Sequence, residues 1–86
     1  MPEICRFFGI VITMYFDEHN PPHFHARYGD CKMEVAIGNF SVLAGKFPPR
    51  ALGLVMEWAV QHRDELLEDW ELARKRSELR KISPLE

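Results

Sequence analysis

The sequence predicts an α+β fold: an antiparallel β-sheet meander of about five strands, with two C-terminal helices packed on one face. Three observations lead there. The first half alternates polar and apolar residues with period two. The second half repeats its apolar residues at helical spacing. With 86 residues, the chain has room for one small core, and therefore one domain.

The elements follow in order. Ile4–Phe8 and Ile10–Phe16 are rich in Ile, Val, Phe and Tyr and are divided by Gly9, which marks two strands. Asp17 to Pro22 is polar and ends in two prolines, which cannot donate ladder bonds, so it reads as a loop or a strand edge. In His23 to Tyr28, His23, His25 and Arg27 alternate with Phe24, Ala26 and Tyr28, giving a strand with two unlike faces.

A two-residue turn at Gly29-Asp30 pairs Tyr28 with Cys31, Arg27 with Lys32, Ala26 with Met33, His25 with Glu34 and Phe24 with Val35. Each pair then joins like with like. Phe24, Ala26, Tyr28, Cys31, Met33 and Val35 share the core face; His25, Arg27, Lys32 and Glu34 share the other. A second turn at Gly38-Asn39 pairs Ile37 with Phe40, and Val35 with Val42, on the core side. A slip of one residue would bury the charges, so the pattern itself specifies the register.

Gly45 to Pro49 ends the sheet, and Pro49 suits a first helical turn. Leu52, Val55, Ala59, Leu66, Trp70 and Ala73 then recur at helical spacing. One helix from Arg50 to Arg76 would be roughly 40 Å long, too long for so small a domain. His62 interrupts the apolar stripe, which predicts a break at His62-Arg63 with Asp64 as the cap of a second helix. The domain spans residues 1–76. Residues 77–86 read as a loosely held tail in which Ile82 and Leu85 are able to dock.

Composition narrows the function classes. The 47% apolar and 28% charged fractions suit a soluble globular domain. A net charge of −2 supplies no overall positive field for nucleic acid or an acidic membrane. The acidic run Asp64 to Glu71, followed by the basic run Arg74 to Lys81, matches the dipole of a helix. Cys5 and Cys31 are isolated and read as reduced thiols. No signal pattern and no long apolar run is present, which predicts a cytoplasmic protein away from membranes. An edge strand would allow a homodimer.

The most unusual stretch is Asp17 to His25, with His19, His23 and His25 in seven residues. Alternation puts His23 and His25 on one face, about 7 Å apart along a strand. With His19 from the loop they form a candidate site for a divalent metal, which Asp17 or Glu34 would complete. The same residues also work without a cofactor. Asp17, His19, Asn20, His23, His25, Arg27, Lys32 and Glu34 then form a polar, partly cationic recognition strip. A catalytic variant of this strip is a metal-independent ribonuclease, with His23 or His25 moving protons and Arg27 holding phosphate. The plainer reading is a row of surface histidines. Tyr15, Tyr28 and Phe8 are able to stack on bases, although aromatics in strands more commonly pack a core. Trp58 and Trp70 fit either a partner surface or the cap of a small core.

These residues also carry a resemblance. Pro2 to Ile12, Met14-Tyr15-Phe16 and His19 to Ala26 resemble a bacterial family described as domain of unknown function 4160. Gly45-Lys46, Pro49 to Leu52, Glu57-Trp58-Ala59, His62, Glu65-Leu66, Trp70, Ile82 and Pro84-Leu85 fit the same family. Its most specific piece is Pro21-Pro22-His23-Phe24-His25. The resemblance implies a bacterial, cytoplasmic single-domain protein but no particular activity. Members of the family lie beside a second small protein, in the manner of toxin–antitoxin modules. It thus implies a second small protein as partner and a regulatory or toxin-like role. The polar strip, without a complete catalytic set, makes the leading reading a binding module, one component of a two-protein toxin–antitoxin-like or regulatory pair that meets its partner through the His/Arg strip. The alternatives are the ribonuclease-type toxin and a DNA-binding regulator using the C-terminal helices, although the acidic run would then face phosphates.

Overall fold

A computed structural model describes residues 2–16 and 19–86. Its five strands are β1 (Glu3–Phe7), β2 (Ile10–Thr13), β3 (His23–Tyr28), β4 (Cys31–Ala36) and β5 (Val42–Gly45). Two helices follow, α1 (Pro49–Gln61) and α2 (Arg63–Arg74). The strands form one antiparallel sheet in chain order, β1-β2-β3-β4-β5.

The β3–β4 ladder has the register that like-with-like pairing requires. Tyr28 faces Cys31, Arg27 faces Lys32, Ala26 faces Met33, His25 faces Glu34 and Phe24 faces Val35. Val35 also faces Val42. The Ile37–Phe40 pair does not form a ladder rung. Instead the Ala36 N–H donates to the Ser41 carbonyl over 2.9 Å, and Phe40 takes φ 58°. Asn39 Oδ1 accepts from the Ser41 amide and hydroxyl, making a wider, side-chain-braced connection.

The core lies between the helices and the sheet face bearing Ile10, Ile12, Phe24, Ala26, Met33 and Val35. Trp58 of α1 is its centre: fully buried, 5.5 Å from the Phe7 ring and edge-on to Phe24 at 5.9 Å. It is therefore a core residue and not a partner surface. Core cover fades toward one end and one edge. Tyr28 and Val42, expected inside, are 40% and 43% exposed, and every residue of β5 is exposed.

The helical break falls at His62, as the interrupted stripe predicts. His62 ends α1 and begins α2. Asp64 is not the cap; it lies in the first turn of α2 with Glu65, where the helix dipole favours acids. His62 Nδ1–H donates to Glu65 Oε1 at 2.6 Å, pinning the corner.

The closing segment docks on the domain through the two residues expected to do so. Ile82 and Leu85 are buried in the core. Ile4, the extra residue where the β1–β2 register shifts, accepts at its carbonyl from the Ile82 N–H over 2.9 Å. Lys81 Nζ donates to the Glu3 carbonyl, and the Trp58 indole N–H to the Ser83 carbonyl. The outer edge of β1 is thereby covered, while β5 leaves the opposite edge open. Among the described residues, no helix is long and apolar enough to cross a membrane. Both cysteines are free thiols; burial pushes the Cys5 thiol up, away from the reactive thiolate.

Candidate functional site

The sheet face turned away from Trp58 carries the polar constellation. Its residues arrive there by register alone. One rung runs Thr13, His25, Glu34 and Ala44 across β2, β3, β4 and β5. The next runs Val11, Arg27 and Lys32. Tyr15, two positions beyond Thr13, continues that face past the end of β2. Together they line a half-open pocket of about 430 Å³, floored by Val11 and Thr13 and walled by Tyr15, His25, Arg27, Lys32 and Glu34.

His23 lies beyond the pocket lining and is buried, with only 8% of its side chain exposed. Its ring packs 5.2 Å from Trp70 of α2 and 5.3 Å from the His25 ring. His25 in turn receives Tyr15 edge-on at 4.5 Å. The four rings form a continuous row, Trp70–His23–His25–Tyr15, that fixes both imidazoles.

Hydrogen bonding assigns the His23 tautomer. Its Nδ1 lies 2.8 Å from the Pro21 carbonyl oxygen. A carbonyl only accepts, so Nδ1 carries the proton and donates. In the neutral ring the lone pair then resides on Nε2, which faces Glu34 Oε1 at 3.8 Å. One ligand atom each from His23, His25 and Glu34 lies within 4.8 Å of the other two.

The residues expected from sequence are brought together only in part. His23, His25 and Glu34 converge, and Arg27 and Lys32 stand side by side on the pocket rim. His19 and Asn20 are exposed, and His19 is outside the converging group. Glu34, not His19, is therefore the third member of the cluster. The ladder holds Glu34 opposite His25. Asp17 lies outside the described residues.

Sequence reasoning missed Thr13 and the packing roles of Tyr15 and Trp70. Thr13 and Tyr15 had a signal, since they share the Val11 parity. Trp70 had none: its contact with His23 joins elements far apart in the chain. Three cations of the basic run Arg74 to Lys81 are engaged within the molecule. Arg74 pairs with Glu71 and Arg80 with Glu68, both at 3.3 Å, and Lys81 is held by Glu3.

The model of a family described as "Domain of unknown function (DUF4160)" matches residues 9–71, well over half of the chain. The match spans β2 to β5, α1 and most of α2, and so includes the whole polar face. No curated protein and no solved structure matches the chain.

Proposed function

The chain belongs to the DUF4160 family, and from that premise we propose that it is a binding module, one component of a two-protein pair, which takes an acidic segment of its partner on the polar face of the sheet. One observation carries this reading. Arg27 and Lys32 are directly opposed across β3 and β4, exposed, and at the rim of the 430 Å³ pocket. Like charges in that relation destabilise a sheet, and a carboxylate laid between them removes the repulsion. Tyr15 and the aliphatic floor provide contact area for the side chains that flank such a carboxylate.

The nucleic-acid readings draw less support. Three of the cations a regulator would use, Arg74, Arg80 and Lys81, are paired with acids of α2 or held by the first strand. A ribonuclease needs general acid–base groups within reach of its substrate, yet His23 is buried against Trp70 and bonded to Pro21.

The test is capture of the partner from native lysate by the wild-type chain beside an Arg27→Ala/Lys32→Ala double variant. Both residues are exposed, so neither substitution empties the core, and circular dichroism checks that the variant is folded. One small protein held at equal stoichiometry, released by salt and lost with the variant, is the expected result. Undiminished capture by the folded variant would overturn this assignment of the face. Co-purifying RNA or DNA without a protein would replace the reading with a nucleic-acid one.

A further inference from the structure

We propose that His23, His25 and Glu34 form a binding site for a divalent transition-metal ion of the zinc type, with an open coordination position toward the pocket. The inference concerns the chain alone and does not depend on the partner reading.

Four features of the geometry support it. First, the donor set is a chelating one: two imidazoles two residues apart on a strand, and a carboxylate directly across the ladder from one of them. Their ligand atoms already lie within 4.8 Å of one another. A tetrahedral ion with ligands at about 2.1 Å needs them about 3.4 Å apart, and His23 Nε2 and Glu34 Oε1 stand at 3.8 Å. The Glu34 side chain is 40% exposed and has room to complete the closure.

Second, the tautomer is the one a metal requires. Metal-bound histidines characteristically donate the other ring N–H to a carbonyl or carboxylate, which orients the ring and raises its basicity. His23 does this through Nδ1 to Pro21, so its Nε2 lone pair is aimed at Glu34.

Third, the 3.8 Å between His23 Nε2 and Glu34 Oε1 is close to the span a bridging cation needs, and such a cation attracts the carboxylate. Fourth, the aromatic row of Trp70 and Tyr15 confines the imidazoles and lowers water access, as the shell of a metal site does. Three protein ligands leave at least one position for water or for an incoming carboxylate from the pocket side. Two neutral imidazoles and one carboxylate leave a bound divalent ion with net positive charge, which favours such an anion.

The experiment is a titration of the untagged, metal-stripped chain with Co²⁺, read by visible absorption, followed by displacement with Zn²⁺. Saturation at one ion per chain, with the intense bands of four- or five-coordinate cobalt, is expected. His25→Ala and Glu34→Gln should each weaken binding by about tenfold or more while the circular dichroism spectrum stays native. Both positions are partly exposed, so neither variant depends on refilling a core. His19→Ala and His62→Ala should bind as wild type. Absence of a saturable signal overturns the site. So does binding unchanged in His25→Ala or Glu34→Gln, because the ion is then held elsewhere on the chain. Loss in His62→Ala would place the ion at the His62–Glu65 corner and likewise overturn it. Partner capture by the stripped chain would leave the binding-module reading standing whatever the titration shows.

Discussion

The Trp58 indole N–H donates to the Ser83 carbonyl over 2.8 Å, which fastens the middle of α1 to the closing segment. Trp58 is fully buried, and the bond itself is part-buried under an exposed Ser83. Trp58→Phe should destabilise the chain by about 1–3 kcal/mol, since it removes buried area and leaves a carbonyl poorly satisfied. Deletion of residues 82–86 should cost more, because Ile82 and Leu85 are lost as well. Urea unfolding of the three proteins checks the ranking.

Two glycines should respond to alanine in opposite directions. Gly45 has φ 85°, and a Cβ there would stand 2.8 Å from Met33 Cα and closer still to the Lys32 carbonyl oxygen. Gly45→Ala should cost about 2 kcal/mol or more and loosen β5. Gly53 lies in α1 with nothing within 4 Å of its would-be Cβ. Gly53→Ala should stabilise by about 0.5–1 kcal/mol. Thermal melts of both variants decide the matter.

Asp69 should make stability depend on pH. It is 1% exposed, and burial pushes its carboxyl above the ordinary value, with Glu68 and Glu65 adding to the rise. The Arg80 amide, donating to Oδ1 at 2.9 Å, and the Arg80 side-chain charge oppose it only in part. Oδ2 has no hydrogen-bond partner among the described residues. The folded chain therefore holds this proton more tightly than the unfolded chain does. The associated stability is complete below the unfolded value, near 4, and is lost as pH rises through the raised folded value. Asp69→Asn should gain on wild type as pH rises from about 4 toward neutrality. Denaturant midpoints measured across that range would refute the assignment if the two curves ran parallel.

Phe8 occupies the β1–β2 turn at φ 49° and is 60% exposed. A bulky residue there is strained, whereas asparagine tolerates the left-handed region. Phe8→Asn should raise stability by about 1 kcal/mol, visible as a higher melting temperature.

The sheet was legible wherever two faces differ in polarity. His25, Arg27, Lys32 and Glu34 could not face the core, so the β3–β4 register had one solution. The break at His62 was legible for a similar reason: a polar residue interrupts an apolar stripe, and the chain bends there. Tyr28 and Val42 were misplaced because alternation reports which face a residue takes, not whether a helix covers it. At Val42 none does. The candidate site was half legible. Strand parity brought His23, His25 and Glu34 onto one face, but proximity in sequence overvalued His19. The Trp70–His23 contact is a matter of tertiary packing, to which local periodicity is blind.

The sheet order repeats the chain order, so each strand has only to close a short loop to find its neighbour. Contacts this local favour rapid pairing, strand upon strand, as the chain leaves the ribosome. The first strand is the exception. Its outer edge is closed by Lys81 and Ile82, and the Glu3–Lys81 contact joins residues 78 positions apart. During synthesis β1 thus waits for residues made 78 positions after it, and until they emerge the nascent sheet has two open edges instead of one.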